Sequence, residues 1–222
     1  MRIPLVYSEE VAEAITAGQP VVALPSSVLR SGPDDAETAR LTEDAVRVSG
    51  SVPATIGVDK GRILVGLSES DFERFACTPG VPQAGARDLP VALARGATAA
   101  TTASSSLVAA GLAGLRFLCS AETGDLVRLA AHRVAVVCAE TPDLDLLESQ
   151  GVPLACCDDP VLVARAIETH WALGHPGSFV VTAPVPPAVD SAGTTKATRA
   201  VRVGTAEVAG GLAAAHAKEY PS

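Results

Sequence analysis

Apolar residues along this chain form two patterns: short continuous runs, and longer segments in which they recur every three to four positions. The short runs are typical of buried strands, and the longer repeat is typical of amphipathic helices. The runs predict strands at residues 20–24, 52–58, 62–65, 115–119, 134–139 and 178–183. The repeat predicts helices at residues 8–17, 34–48, 68–75, 89–95, 101–114, 125–131, 144–150, 160–173 and 204–220.

The residues at the ends of these segments favour the same assignment. Ser8 and Ser68 stand where helix N-caps are expected, and Gly50 and Gly151 follow predicted helices as terminators. Lys60-Gly61 separates two strands by a tight turn, which indicates a β-hairpin. Strands otherwise alternate with helices. We therefore expect a single-domain α/β/α sandwich over residues 1–222, with a central mixed sheet.

Composition and charge narrow the classes of function. Hydrophobic residues make up 48% of the chain and aromatic residues 3%, which is typical of a closely packed layered α/β core. The net charge of −8 argues against nucleic acid as the main partner, because no basic stripe is present to neutralise phosphates. No apolar run is long enough to span a membrane. We expect no membrane partner.

The cysteines and the first residues of the chain bear on location. The five cysteines show no CxxC or Cys/His ligand spacing, so we expect reduced thiols and no metal site. Residues 1–4 lead into polar sequence with no apolar segment typical of a signal peptide. We therefore expect a cytoplasmic protein, and nothing in the sequence calls for a cofactor.

Polar residues follow several predicted strands, where α/β proteins usually bind ligands. Thr102, Ser104 and Ser105 begin a predicted helix and could offer backbone N–H groups and hydroxyls to an anion. The alternative is that these hydroxyls cap the helix. Glu122 and Glu140 follow two neighbouring core strands and could act as an acid–base pair if they face one pocket. The alternative is two solvated loop residues.

Several segments match a known family pattern in order along most of the chain. They are 20–24 (PVVAL), 50–56 (GSVPATI), 65–67 (VGL), 87–90 (RDLP), 100–102 (ATT) with 113–114 (AG), 136–139 (VVCA), 147–153 (LESQGVP) and 184–186 (PVP). By these segments the chain resembles the pseudouridine-5′-phosphate glycosidases, which reversibly cleave the bond between uracil and ribose 5-phosphate. The second half is shorter than the family pattern.

The resemblance implies a mixed-sheet α/β/α fold and a homotrimer. It also implies a mechanism with an imine-forming lysine, a general-acid glutamate and a manganese ion near an aspartate. In this chain Pro25 stands at the glutamate position and Pro142 at the lysine position. The segment that would carry the metal aspartate falls in a deletion after Gly124. An imine requires an amine nucleophile, so we expect a different chemistry here.

Other positions implied by the resemblance keep polar side chains. Ser26 and Ser27 occupy substrate-loop positions, and Cys119 stands where the family has a small polar site residue. Gln83 replaces a phosphate-binding lysine and brings no charge. Together with Thr102, Ser104 and Ser105, these are the expected substrate-binding residues, and Glu122 and Glu140 are the expected catalytic residues.

Two hypotheses of different kinds follow. The first is a repurposed enzyme that acts on a small molecule, such as a sugar phosphate or a C-nucleoside intermediate of specialised metabolism. The second is a non-catalytic protein that binds a small molecule or assembles with an active partner. A pocket that brings Glu122, Glu140 and Ser26 within mutual reach would favour the enzyme.

Overall fold

The fold was analysed in a computed structural model, which describes residues 3–29, 33–78, 80–121, 123, 125–126, 129–140, 142–184 and 194–221, without the side chains of 33 and 194–197. Strands and helices alternate along most of this length. They are β1 (Leu5–Tyr7), α1 (Glu9–Thr16), β2 (Val21–Pro25), α2 (Pro33–Val48), β3 (Val52–Asp59), β4 (Arg62–Val65), α3 (Glu69–Cys77), β5 (Gln83–Ala84), α4 (Leu89–Ala94), β6 (Ala99–Thr101), α5 (Ala103–Ala113), β7 (Phe117–Ser120), β8 (Ala135–Cys138), α6 (Leu144–Ser149), β9 (Leu154–Cys156), α7 (Pro160–Ala172), β10 (Phe179–Thr182) and α8 (Thr194–Glu219).

The strands form one mixed sheet in the order β1-β4-β3-β2-β7-β8-β10-β9, with β6 paired to β3 and β5 paired to β6. The pairs from β3 through β2, β7, β8 and β10 to β9 are parallel. The β3–β4 pair is antiparallel and turns at Lys60 and Gly61, both with positive φ, as the hairpin prediction requires. The predicted mixed sheet is confirmed.

Alternating residues of each strand face two separate helix layers. In β2, Val21 and Ala23 pack with α1 and α5, whereas Val22 and Leu24 pack with α2, α7 and α8. This period of two is the geometry of a strand that is buried on both faces. The α/β/α sandwich is therefore confirmed, and no described helix combines the length and the apolar character needed to cross a membrane.

The predicted helix N-caps at Ser8 and Ser68 are confirmed. The Ser8 hydroxyl accepts the N–H of Val11, and Ser68 forms a reciprocal capping box with Asp71. Of the predicted helix at 125–131, the described residues are helical only at Leu129–Ala131, which form a single 3-10 turn. The short strands β1, β5, β6 and β9 were not predicted, since two or three residues are too few to show a periodic pattern.

Candidate active site

A cavity lies at the carboxyl ends of β2 and β7, between the sheet and helices α2 and α8. Its cavity volume is about 30 Å³, and the whole empty space, including open solvent at the mouth, is about 380 Å³. It is lined by Leu24 and Pro25 of β2, Thr55 of β3, Cys119 and Ser120 of β7, Ala39 and Thr42 of α2, and Arg202 of α8, with Val28 and Ala121. This is the edge at which open α/β sheets usually bind ligands.

Strand register brings these side chains together. Leu24 pairs with Thr55 across β2 and β3, while Ala23 pairs with Leu118 across β2 and β7. Leu24 and Cys119 consequently belong to the same core cluster, on the sheet face covered by α2 and α8. Ala54 and Ile56 pack in the cluster of the opposite face, which leaves Thr55 directed toward the cavity.

Thr55 connects the cavity to a buried carboxylate. Its hydroxyl donates to Glu43 Oε1 at 2.5 Å, and the Thr55 residue is 2% exposed. Burial raises the pKa of Glu43, while the Thr55 hydrogen bond and the nearby Arg47 act in the opposite direction. The Arg47 guanidinium lies 3.5 Å from Glu43 Oε2. Sequence reasoning missed Glu43, because an acidic residue on a helix rich in charged side chains is typical of a solvated position.

The Cys119 side chain lines the cavity, and its thiol is protonated at neutral pH. Burial and the nearby Cys138 raise its pKa to about 12, while the charge of Arg202 acts in the opposite direction. A thiol with so high a pKa is a poor nucleophile at neutral pH. Cys119 is buried and lines the cavity, and its role in substrate binding stays a prediction.

Ser26 lies beside the cavity but its hydroxyl is engaged elsewhere. The residue is fully buried, and its Oγ accepts the backbone N–H of Thr101 at 2.9 Å. Thr101 Oγ1 donates to the Ile56 carbonyl at 2.6 Å and accepts from the Ser106 hydroxyl at 2.9 Å. These side chains form an internal hydroxyl cluster that joins the start of α5 to β3. Substrate binding by Ser26 stays a prediction.

A carboxylate of the chain itself, that of Asp125, binds at the N-terminus of α5. Asp125 accepts the Ser104 hydroxyl at 2.7 Å and the Ser104 N–H at 3.3 Å. Ser104 Oγ also accepts the Ala86 N–H at 3.0 Å, and the hydroxyl of Thr102 lies 3.2 Å from Ser104 Oγ. Asp125 therefore occupies the position that the sequence suggested for a bound anion. The spacing of 21 residues between Ser104 and Asp125 gave no signal for this contact.

The other predicted site residues are more dispersed. The Ser105 hydroxyl donates to the Ala84 carbonyl at 2.6 Å and is fully buried. Gln83 is exposed on β5, and Ser27 is half-buried in the 3-10 turn after β2. Glu140 is exposed after β8. Glu122 lies outside the described residues, so its pairing with Glu140 stays a prediction.

The described residues near this edge do not fit the amine or the metal of the implied mechanism. Lys60 is exposed in the β3–β4 turn, Lys218 lies in the last turn of α8, and Pro142 is buried. The side chain of Lys196 lies outside the described part of the chain. Among the described residues, no group of three or more His, Cys, Asp or Glu side chains is placed to hold a metal ion.

Comparisons with known proteins assign this chain to a family. The family model for indigoidine synthase A like proteins matches residues 10–158. The pseudouridine-5′-phosphate glycosidase of Dickeya dadantii is 40% identical over 81% of this chain and 71% of its own length. The chain belongs to this family.

Other relatives agree with this placement and differ in how much of their length is matched. The glycosidase of Rhodospirillum centenum is 42% identical over 91% of this chain and 77% of its own length. For glycosidase 1 of Photorhabdus laumondii the identity is 46%, but the match spans only 49% of the relative. The predicted family membership is thereby confirmed.

Two solved structures share the fold. The prealnumycin C-glycosynthase AlnA, solved in complex with ribulose 5-phosphate, superposes with a TM-score of 0.88 at 30% identity and covers 99% of both chains. An indigoidine synthase A-like protein from Thermotoga maritima superposes with a TM-score of 0.78 at 20% identity. The second comparison speaks for the fold alone.

Proposed function

We propose that this protein is a C-glycosynthase-type enzyme. It joins the C1 carbon of a pentose 5-phosphate to a carbon nucleophile and does not use a lysine imine. In this reaction the aldehyde carbon of the opened sugar accepts the carbon–carbon bond, and its oxygen takes up the proton that the nucleophile loses.

The observation that carries this proposal is the extent of the match to AlnA. The structural match spans 99% of this chain and 99% of AlnA, with a TM-score of 0.88 at 30% identity. This chain and AlnA therefore match over nearly their whole length. The name of AlnA describes synthesis of a C-glycosidic bond. The loss of residues common to the glycosidases supports a change of reaction within the same fold.

The composition of the cavity supports the same proposal. Pro25 stands at the position implied for the general acid, and Pro142 stands at the position implied for the imine lysine. The cavity combines apolar walls with the hydroxyls of Thr55 and Ser120 and the guanidinium of Arg202. The lining therefore presents both apolar surface and polar groups at the mouth of the cavity.

A direct assay tests the reaction. The protein is incubated with ribose 5-phosphate and a panel of carbon nucleophiles that includes uracil and electron-rich phenols or naphthols, and products are detected by mass spectrometry. We expect a product whose mass equals the sum of both substrates, or that sum less one water after ring closure. Pseudouridine 5′-phosphate should not be cleaved faster than in a buffer control.

Borohydride trapping tests the mechanism separately. Reduction in the presence of ribose 5-phosphate should leave the protein mass unchanged, because no amine lines the described cavity. A reduced adduct on a lysine would contradict the proposal. Binding of ribose 5-phosphate without any product from the panel would favour the alternative, a non-catalytic sugar-phosphate-binding protein. The homotrimer that the resemblance implies stays a prediction, and the molar mass from light scattering would test it.

A further inference from the structure

We propose that Arg202 of α8 is the residue that binds the phosphate group of the substrate, at the mouth of the carboxyl-edge cavity. This inference rests on the proposed function for the identity of the ligand, and it adds the residue that recognises it. Neither the motif segments nor the polar residues selected from the sequence include this arginine.

The first support is the position of Arg202. Its side chain lines the cavity together with Pro25, Cys119 and Ser120, at the ends of β2 and β7. The residue is half-buried, and it shares the cavity wall with the Cys119 thiol. Among the described residues that line the cavity, Arg202 alone carries a positive charge.

The second support is that α8 is held firmly against its neighbours. One turn before Arg202, the Arg199 Nε donates to Thr38 Oγ1 at 3.1 Å, and Arg199 forms an ion pair with Glu37 at 3.1 Å. Further along the helix, the Ser51 hydroxyl donates to the Gly210 carbonyl at 2.8 Å. These contacts fix the rotation of α8 on α2, and thereby direct Arg202 toward the cavity.

The third support is that the N-terminus of α5, the other part of this edge that could attract an anion, is already occupied by a carboxylate. The first N–H groups of a helix attract anions, but at α5 the Asp125 carboxylate accepts from the N–H and the hydroxyl of Ser104. A phosphate there would meet a fixed negative charge. Gln83, at the position implied for a phosphate-binding lysine, is uncharged.

The chemistry of the side chain fits a phosphate monoester. A guanidinium offers paired N–H donors that match two phosphate oxygens, and charge-assisted bonds of this kind are roughly twice as strong as neutral ones. In a chain with a net charge of −8, a phosphate needs such a local cation to overcome general repulsion.

The experiment is isothermal titration calorimetry of the full chain with ribose 5-phosphate, ribose and inorganic phosphate. We compare wild type with Arg202→Gln, Arg202→Lys and Lys218→Gln. The last variant removes one positive charge from the same helix, at an exposed side chain in its last turn that does not line the cavity. Circular dichroism confirms that each variant is folded.

We expect Arg202→Gln to weaken ribose 5-phosphate binding by about 10- to 100-fold, the effect of one charge-assisted hydrogen-bonding group. Arg202→Lys should recover part of the loss, because it restores charge without the paired donors. Lys218→Gln should bind within about threefold of wild type, a difference of under roughly 1 kcal/mol. Ribose should bind weakly, and equally to wild type and Arg202→Gln.

Two outcomes overturn the inference, and they differ from failure of the proposed function. Equal ribose 5-phosphate binding by wild type and Arg202→Gln shows that the phosphate lies elsewhere, and the reaction can still hold. A loss in Arg202→Gln that is the same for ribose and ribose 5-phosphate shows that Arg202 contacts the sugar. If wild type binds no ribose 5-phosphate, the proposed function and this inference both fail.

Discussion

The Thr55 hydroxyl lies 2.5 Å from Glu43 Oε1 and joins the buried β3 strand to a carboxylate of α2. Thr55 also lines the carboxyl-edge cavity. The pair thus connects the wall of the candidate site to an acid whose pKa is raised by burial. A change at Glu43 should therefore affect both stability and its pH dependence.

Glu43→Ala should lower the free energy of unfolding by about 1–3 kcal/mol, because the buried Thr55 hydroxyl loses its acceptor. Glu43→Gln keeps an amide oxygen for this bond and should cost less. Urea unfolding at pH 7 measures both changes. Glu13→Gln, an exposed substitution on α1, is the control and should stay within about 0.5 kcal/mol.

The pH dependence of the same variants has a defined sign. Because the folded-state pKa of Glu43 is raised above 4.5, its contribution to stability is fully present below that pH and is lost as the pH rises through the folded pKa. Glu43→Gln cannot titrate. Its stability relative to wild type should consequently improve from pH 4 to pH 7, and an unchanged difference over that range would contradict the account.

Two adjacent glycines of α8 should respond oppositely to alanine. A Cβ at Gly210 would lie 2.8 Å from Ser49 Cβ and 3.0 Å from the Val46 carbonyl oxygen, whereas nothing lies within 4 Å of one at Gly211. Gly211→Ala should stabilise the protein by about 0.5–1 kcal/mol through helix propensity. Gly210→Ala should instead cost about 1–3 kcal/mol, because α8 must move from α2.

Thermal unfolding of the two glycine variants measures these effects under identical conditions. Since both positions belong to the same helix, the propensity gain is matched and the difference reports the α2–α8 contact. Equal melting temperatures for the two variants would mean that the close approach of α8 to α2 is absent in solution.

His216 should make the protein less stable in mild acid. Its Nε2 lies 2.7 Å from Glu168 Oε1, yet burial lowers its pKa below 6.5, and the nearby Arg116 acts in the same direction. The neutral imidazole is thus the form that folding favours. Stability should fall as the pH drops from about 7 through the folded pKa, because the unfolded chain binds the proton more tightly.

The test is the dependence of the urea midpoint on pH between 8 and 5 for wild type and His216→Gln. The variant should lose part of the slope, since glutamine does not titrate. His170 also has a pKa lowered by burial, so some slope should remain. A variant whose slope equals that of wild type would show that His216 titrates normally.

In the folded protein, two of the five thiols should react readily with a thiol reagent, and the other three should not. Cys77 and Cys156 are exposed, whereas burial raises the pKa of Cys119 and Cys138 to about 12 and that of Cys157 to about 11. A disulfide-exchange reagent at pH 8 should therefore react quickly with two thiols, and with all five after unfolding. Cys156→Ser should reduce the fast count to one.

The sequence determined most of the layered architecture by itself. Strand β2 shows as a continuous apolar run, and the hairpin turn shows as Lys60-Gly61, because both depend on neighbouring residues. The caps at Ser8 and Ser68 are local for the same reason. Family membership could also be read from short ordered segments. Strand β6, in contrast, has only three residues and depends on pairing with β3.

The composition of the candidate site was decided by tertiary contacts. Glu43 meets Thr55 from 12 positions away, and Asp125 reaches Ser104 from 21 positions away. Arg202 joins Pro25 only because α8 packs over the sheet beside α2. The Ser26 hydroxyl, expected to bind a ligand, instead accepts the backbone N–H of Thr101, 75 residues distant. Local sequence patterns encode helices and strands, but which polar groups share one low-dielectric cavity depends on how those elements pack.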